Sequence, residues 1–320
     1  MIEFLKYPKM KNSYAIEPDD FGKTTVFYSS EKIDGSNTQI DIHLTNGAVD
    51  DIRVGSRNKF IEEDCKEALG KVYNFVPKVK ELVAQNANNI PTLSEKPNAT
   101  LYVYGEIFGS KIQTTSYDVT KNGDVDYRIF DCFVKADENK GYFQLGYESL
   151  KAIFGDLVAP LKDKGTLEEL LDKPLGRESQ YGAPLEEGDV YHTYSGCFYT
   201  SKEALQRVDN VKRKHKEFSE ISRKHKKSKA PKVFTEEQKK LLDELTRYVT
   251  ERRVENILSH GDIERSPKNI GKLIGATIKD SMEEFAIDYN IPKEDLKPFG
   301  KYIGGVAGQV VRKVVLGSEN

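Results

Sequence analysis

The stretch EKIDGSN (residues 31–37) places Lys32 two residues before an Asp-Gly pair and leads directly into a strand pattern. Between residues 39 and 44 apolar and polar side chains alternate, which is the period of a half-buried strand. Asn46-Gly47 follows, and because both residues tolerate positive φ, we expect a tight hairpin turn and a returning strand over 49–54. Lys32 therefore stands at the entrance of a predicted β-hairpin.

The rest of the amino-terminal part alternates strand patterns with helical ones. Aromatic and β-branched residues predict strands over 101–104 and 127–134. Helical patterns cover 62–85 and 147–154. We therefore predict a β-rich domain with interspersed helices over residues 1–230.

After residue 230 the pattern becomes helical. TEEQ (residues 235–238) is a capping box that precedes apolar residues at helical spacing. Pro267 opens a second predicted helix, since proline suits the first helical position, and a third follows Pro292. The sequence thus predicts an α+β fold with a small all-helical domain over 231–320. The predicted buried positions are Leu241, Leu242, Leu245, Tyr248 and Val249 in the first helix, Ile270, Leu273, Ile274, Ile278, Met282 and Phe285 in the second, and Tyr302, Val306, Val310, Val311 and Val314 in the third.

Length and composition limit the classes of protein to consider. The chain has 320 residues, of which 38% are hydrophobic, so it can form about two domains and is not disordered throughout. It shows neither a secretory signal nor an apolar run long enough to cross a bilayer. Its three cysteines form no CxxC pair, which argues against a disulfide framework or a cysteine zinc site. We expect a soluble, cytoplasmic protein.

The net charge of −2 conceals a strongly basic segment. Residues 212–232 contain ten Lys or Arg and two Glu. Clustered positive charge is typical of proteins that bind a polyanion, although a solvated charged loop is an equally good explanation of this segment by itself. The residues before it decide between these interpretations.

Lys32 is the first candidate for chemistry. A lysine amine attacks phosphorus only in its unprotonated form, so a lysine nucleophile requires burial or neighbouring cations. The alternative is that residues 34–35 are an ordinary surface turn. If Lys32 is a nucleophile, further cations and a metal ligand must follow along the chain.

Suitable residues do follow. Arg57 comes directly after the hairpin, and Glu106 lies between two glycines at the end of an apolar strand. Glu187 is a hard oxygen ligand for a divalent cation. Lys212 and Lys214 are two residues apart, so on a strand they project from the same face. Taken singly, each is better explained as an ordinary surface or core residue, and it is their order after Lys32 that favours a shared site.

These motifs together resemble the covalent nucleotidyltransferases, which include polynucleotide ligases and mRNA capping enzymes. Within that superfamily the chain resembles the phage-type RNA ligase 2 family, whose members seal nicks. The tail segments YVTERRVENIL (248–258) and IGATIKD (274–280) resemble its helical appendage. The blocks that carry the resemblance are EKIDGSN (31–37), SRN (56–58), YGEIFG (104–109), YRIFD (127–131), EGDV (187–190) and KRKHKEFSE (212–220).

The resemblance implies a ligase adenylation domain built on antiparallel sheets, with ATP and Mg²⁺ or Mn²⁺ as cofactors. It implies that Lys32 attacks the α-phosphorus of ATP and carries AMP, while Lys212 and Lys214 contact the α-phosphate. The AMP then activates a 5′-phosphate, and a 3′-hydroxyl displaces it. Glu187 is expected to bind or orient the metal ion.

The remaining roles also come from the resemblance. Asn37 is expected near the phosphates, Arg57 and Glu106 on the ribose and phosphate, and Tyr127 on the adenine. Asp34 is a possible support residue. The implied partners are nicked or broken RNA ends in duplex RNA or an RNA/DNA hybrid, as in RNA repair, with no membrane and no protein partner.

Two features separate the alternatives. DNA ligases tend to carry Arg where Asn37 stands, and DNA ligases and capping enzymes usually continue into a β-barrel, whereas this chain continues with a helical period. The alternatives are an ATP-dependent DNA ligase, a GTP-using capping guanylyltransferase, and a non-catalytic RNA-binding protein on a ligase scaffold. The chain departs from close relatives at three positions. Relatives often carry His in place of Asp34, frequently carry Lys in place of His192, and usually carry Phe in place of Tyr127.

Overall fold

The computed structural model describes residues 2–16, 21, 24–65, 68–91, 98–137, 141–205, 210–219 and 234–317. The chain divides into two compact units. The first comprises Met1–Ser13 and Glu17–His215, and the second comprises Tyr14–Ile16 and Lys216–Asn320. Residue 230, where the sequence predicts the domain boundary, and most of the basic segment lie outside the described residues.

The first unit contains two sheets. One has the strand order β1-β11-β9-β2-β8 and the other β10-β7-β6-β5-β3-β4. All neighbouring strands are antiparallel except β1 and β11, which are parallel. The predicted α+β class with antiparallel sheets is confirmed. The strands of the described residues are β1 (Lys11–Asn12), β2 (Val26–Glu31), β3 (Ser36–Thr45), β4 (Ala48–Ser56), β5 (Ala99–Gly109), β6 (Val125–Ala136), β7 (Tyr142–Leu145), β8 (Leu161–Thr166), β9 (Gly188–Thr193), β10 (Gly196–Tyr199) and β11 (Val211–Lys214).

The predicted hairpin is present. β3 and β4 pair through Thr45 and Ala48, and the two turn residues Asn46 and Gly47 have φ angles of 51° and 76°. Such angles match the turn to the twist of the strands that it joins. The alternating residues Ile40, Ile42 and Leu44 are buried, so the polarity pattern correctly identified the face of β3 that packs into the core.

A large apolar cluster contains residues of both sheets. Tyr28 of β2 joins Ile40 of β3 and Val103 of β5 in it, together with Leu150 from a helix. β5 is central in its sheet and is buried at ten of its eleven positions, with Glu106 the exception. Glu106 is therefore the one residue of β5 that is only partly buried.

The helix predicted over residues 62–85 is wrong in its first part. Ala68–Phe75 is a 3-10 helix, α1 runs over Val76–Gln85, and residues 62–65 form a turn. Pro77 explains the difference, because proline lacks an amide proton and is tolerated only in the first turn of an α-helix. The helix predicted over 147–154 is confirmed as α3 (Tyr147–Phe154). Short helices α2 (Asp118–Lys121), α4 (Leu167–Leu171) and α5 (Lys202–Leu205) complete the first unit.

The described part of the second unit is helical, as predicted. Thr235 and Gln238 form the predicted capping box at the start of α6 (Glu236–Thr246). The first predicted helix extended too far, because Tyr248 and Val249 lie beyond the end of α6, although both are buried. The other helices are α7 (Glu251–Ser259), α8 (Ile270–Asp288), α9 (Lys293–Leu296) and α10 (Gly300–Leu316).

Proline residues explain how the later helices begin. A 3-10 turn over Pro267–Asn269 precedes α8, and a second over Lys297–Phe299 separates α9 from α10. Pro298 cannot donate a backbone hydrogen bond, so the helix predicted after Pro292 is interrupted there. Phe285, Ile303 and other apolar residues of these helices form the core of the unit. Within the described ranges, every helix is too short or too polar to cross a membrane.

Candidate active site

Lys32 lies in the connection between β2 and β3, where it is held against the start of β9. Its backbone N–H donates a hydrogen bond to the carbonyl oxygen of Gly188 at 2.8 Å. The next residue, Ile33, is buried in an apolar cluster with Phe108 and Tyr117. Backbone hydrogen bonding and apolar packing therefore both restrict where the Lys32 side chain can point.

The Lys32 ammonium meets a buried carboxylate that a second lysine also contacts. Its Nζ lies 2.7 Å from Oε2 of Glu187, and Nζ of Lys214 lies 3.1 Å from Oε1 of the same side chain. Glu187 is only 2% exposed, whereas Lys32 and Lys214 side chains are 18% and 10% exposed. One carboxylate thus bridges two amines at the edge of the core.

Gly188 makes this arrangement sterically possible. Its φ of 153° is a conformation that other residues rarely adopt, and a Cβ at this position would lie 2.0 Å from the carbonyl oxygen of Arg213. β9 and β11 therefore approach closely where Gly188 pairs with Lys214. This close approach brings Lys214 within reach of Glu187.

Lys212 lies two residues before Lys214 on β11 and pairs with Val190 of β9. Because side chains alternate along a strand, Lys212 and Lys214 project from the same face. The end of the family motif, Glu220, lies outside the described residues. Phe218, near that end, belongs to the second unit, as does Arg252, whose guanidinium carbon lies 5.1 Å from the centroid of the Phe218 ring.

Glu106 and Asn37 are direct neighbours across the β3–β5 ladder. Burial raises the pKa of Glu106 to about 8, against the opposing charges of Lys32 and Arg57. The loop that follows Lys32 also packs tightly on β5, since a Cβ on Gly35 would lie 2.5 Å from the carbonyl oxygen of Ile107. Lys32, Arg57, Glu106 and Asn37 therefore belong to one region.

Asp34 is buried and turned towards the segment before α2. Its carboxylate accepts a hydrogen bond from the Thr115 hydroxyl at 2.5 Å, and its backbone N–H donates to the Tyr117 hydroxyl at 2.7 Å. Gln113 donates to the carbonyl oxygen of Gly35 at 3.3 Å. These contacts brace the lysine loop, but sequence reasoning did not single out their partners in the 113–117 segment.

Tyr127 is placed differently from the expectation. Its side chain is fully buried, its ring lies 5.4 Å from that of Phe75, and it occupies the space that a Cβ on Gly105 would need. Its packing therefore keeps the ring in the core. A role in stacking adenine stays a prediction.

His192 does not supply the cation that a lysine would supply at its position. It is 2% exposed, it stacks on Tyr28 with ring centroids 5.4 Å apart, and burial lowers its pKa to about 3. The imidazole is therefore neutral. It contributes to packing between the sheets, with Asp131 the nearest charged group at 3.8 Å.

The side chains of the site determine whether it could hold a metal ion. The described residues contain no group of three or more His, Cys, Asp or Glu side chains that could hold one. Glu187 is a single carboxylate in contact with Lys32 and Lys214, which fits Mg²⁺ only in the mode usual with nucleotides, in which the phosphates and water supply most of the ligands.

The chain matches two protein-family descriptions. Residues 25–206, more than half of the chain, match the family described as RNA ligase. The chain belongs to the RNA ligase family. Residues 231–303 match a second description, T4 RNA ligase 2 C-terminal, so the match continues into the helical unit of the chain. The resemblance inferred from the motifs is confirmed.

Solved structures of ligases are also similar to this chain, at low sequence identity. The RNA ligase of Naegleria gruberi is 16% identical over 64% of this chain, with a TM-score of 0.42, and this chain covers 58% of its length. An archaeal ATP-dependent RNA ligase is 14% identical over 97% of this chain and 64% of its own, with a TM-score of 0.40. A putative ATP-dependent DNA ligase from Aquifex aeolicus is 17% identical over 88% of this chain and 67% of its own, with a TM-score of 0.39.

Proposed function

We propose that the protein is an ATP-dependent ligase that joins 3′-hydroxyl and 5′-phosphate ends of RNA through an AMP adduct on Lys32. The observation that carries the proposal is the contact of Lys32 and Lys214 with the two oxygens of Glu187. A lysine held beside a second amine and a buried carboxylate, at the start of a family match, is suited to nucleophilic attack on phosphorus.

The first step requires the Lys32 amine to lose its proton. In the structure, Glu187 holds the Lys32 amine at 2.7 Å and the Lys214 amine at 3.1 Å. We infer that the contact between Lys32 and Glu187 separates when ATP binds. The amine then forms a bond to the α-phosphorus, and the bond to the leaving oxygen breaks to release pyrophosphate.

The other side chains position the nucleotide and offset its charge, which is the main task of a protein in phosphoryl-type transfer. Lys212 and Lys214 would contact the α-phosphate oxygens from one face of β11. Arg57, Glu106 and Asn37 would hold the ribose and phosphates. Glu187, once separated from Lys32, would become available to Mg²⁺, which supplies further charge neutralisation.

The later steps use the RNA ends. The AMP moves from Lys32 to a 5′-phosphate, and attack by a 3′-hydroxyl forms the phosphodiester bond and releases AMP. We propose that the substrate is a nick in duplex RNA or an RNA/DNA hybrid, sealed in the cytoplasm during RNA repair. The three cysteines are free thiols, which fits a reducing compartment.

The helical unit is proposed to hold the duplex. α8 exposes Lys272 and Lys279 seven residues apart, with the exposed Gly275 between them. Residues at this spacing share a helix face, and lysines on it can contact phosphates without reading bases. The match of residues 231–303 to a ligase carboxy-terminal family supports this role.

The test is transfer of labelled AMP to the protein. With labelled ATP and Mg²⁺, the wild-type chain should gain one AMP, and Lys32→Ala and Lys32→Arg should gain none, since a guanidinium stays protonated. Lys80, an exposed lysine of α1, provides the control Lys80→Ala, which should label normally. Full labelling of Lys32→Ala would exclude the nucleophile assignment, and labelling by GTP instead of ATP would favour a capping enzyme. End joining on RNA, DNA and hybrid nicks then identifies the substrate.

A further inference from the structure

A second group of charged residues lies behind the proposed site, centred on Lys162 of β8. The Lys162 side chain is only 5% exposed, and its Nζ lies 2.5 Å from Oε2 of Glu186 and 2.5 Å from Oδ1 of Asp189. Burial opposes the charge of this ammonium, but its hydrogen bonds to the two carboxylates outweigh that effect and raise the pKa of Lys162. Charged groups so deeply buried are costly, which suggests a role beyond stability.

Lys162 reaches these carboxylates because of an irregularity in its strand. β8 pairs with β2 through Ser29 with Asp163 and then through Ser30 with Leu161, so the pairing skips Lys162. An extra residue of this kind is a β-bulge, which bends the strand and redirects a side chain. The bulge directs the Lys162 side chain past β2 to β9, the strand beyond it.

The two carboxylates stand on either side of Glu187. In a regular strand Glu187 and Asp189 would share a face, but the positive φ of Gly188 breaks the alternation. Asp189 accordingly contacts Lys162 and lies 3.4 Å from the Tyr191 hydroxyl, whereas Glu187 contacts Lys32 and Lys214. The Lys162 ammonium therefore binds Glu186 and Asp189, the first and last residues of segment 186–189. Glu187, within the segment, binds the proposed nucleophile Lys32.

The strand that carries Lys32 is fastened to the same segment. Glu31 pairs with Asp189 in the β2–β9 ladder, and its carboxylate accepts hydrogen bonds from the Ser179 hydroxyl and the Gln180 backbone N–H. Lys32 follows directly and donates its backbone N–H to Gly188. A shift of residues 186–189 would therefore displace both Glu187 and the backbone of Lys32.

We propose that Lys162 is a positioning residue for AMP transfer: it fixes residues 186–189, and with them the backbone at Glu187 and the Gly188 carbonyl oxygen to which the Lys32 backbone is bonded. The inference rests on the proposed function. It concerns the rate of attack by Lys32 rather than the affinity for ATP, since Lys162 lies behind the strand and its charge is neutralised by two carboxylates. Misplacement of reacting groups by about 1 Å can cost about 100-fold in rate.

The test compares variants of the full chain in single-turnover AMP transfer over a range of ATP concentrations. Lys162→Met should lower the rate at saturating ATP by about 10- to 100-fold and change the half-saturating ATP concentration by less than about threefold. Lys162→Arg keeps the charge and should retain most of the rate. Lys173→Met is the matched control. Lys173 also pairs with a carboxylate, that of Asp163 at 2.5 Å, but this partner lies outside residues 186–189. The variant should leave the rate unchanged.

A triple variant separates positioning from simple loss of stability. Lys162→Met with Glu186→Gln and Asp189→Asn leaves no unpaired buried charge, so thermal stability should return towards that of the wild type. The rate of AMP transfer should stay low, because the ion pairs of Lys162 with Glu186 and Asp189 are still missing. Normal rates in Lys162→Met, or a rate that recovers together with stability in the triple variant, would overturn the inference. Failure of the wild-type chain to accept AMP would instead refute the proposed function, and the inference with it.

Discussion

Replacing Gly188 by alanine tests the geometry on which the candidate site depends. Gly188 has a φ of 153°, and a Cβ there would lie 2.0 Å from the carbonyl oxygen of Arg213 and 2.9 Å from Cα of Lys214. Both contacts are with backbone atoms, which cannot rotate away. β9 must therefore move by about 1 Å from β11, since a Cβ atom is essentially never found within 3.0 Å of such atoms.

The loss in the free energy of unfolding follows from the contacts that this movement disturbs. Loss of two ladder hydrogen bonds between β9 and β11 costs about 1–3 kcal/mol. Forcing alanine into the conformation of Gly188 costs a further 1–3 kcal/mol or so. We therefore expect the free energy of unfolding to fall by about 2–6 kcal/mol. For a unit of this size that corresponds to a decrease of about 4–24 °C in Tm.

Gly47→Ala is the matched control. Gly47 also has a positive φ, 76°, but nothing lies within 4 Å of the position of its Cβ, so only the backbone term of about 1–2 kcal/mol applies. Thermal denaturation followed by circular dichroism, together with AMP labelling at a temperature where both variants are folded, makes the comparison. Gly188→Ala should lose most of its labelling, because movement of β9 also displaces the carbonyl oxygen of residue 188, which accepts the hydrogen bond from the Lys32 backbone, whereas Gly47→Ala should keep it. Equal losses of Tm and of labelling in the two variants would refute the reasoning.

Two further predictions concern Glu106 and the helical unit. The pKa of Glu106 is about 8 in the folded protein against an ordinary value of 4.5, so the folded state keeps a proton that the unfolded state releases, and stability falls as pH rises between these values. Glu106→Gln removes this contribution, so urea denaturation from pH 5 to 8 should show a flatter pH dependence than in the wild type; parallel curves would contradict the assignment. A chain truncated to residues 1–230 should still accept AMP from ATP but should seal nicked RNA poorly. Sealing at the full rate would argue against RNA binding by the helical unit.

Local patterns were sufficient for most of the secondary structure. The alternation at Ile40, Ile42 and Leu44 identified β3 and its buried face, and the positive-φ turn at Asn46-Gly47 identified the hairpin. Patterns failed where proline acts over a few residues. Pro77 and Pro298 restrict the α-helices that were predicted to run through them, because each lacks an amide proton.

The candidate site was predicted in its composition but not in its contacts. Lys32, Glu187 and Lys214 were recognised from short motifs, and the structure places them within hydrogen-bonding distance. Lys162 carried no signal, because a lone lysine in a polar segment is common and its partners lie 24 and 27 residues away. Tyr127 resembled a stacking residue in sequence, yet the packing of Phe75 against it buries the ring.

The amino-acid sequence by itself determined the residue types available for chemistry, the family and the division into a sheet-rich and a helical part, since these depend on motifs and on periodicity over a few residues. Only the tertiary structure decided which charges are buried together and which face each one occupies. The physical reason is that the bulge at Lys162 and the backbone of Gly188 redirect side chains between strands that are distant in sequence, and electrostatic interactions of buried groups depend on those distances.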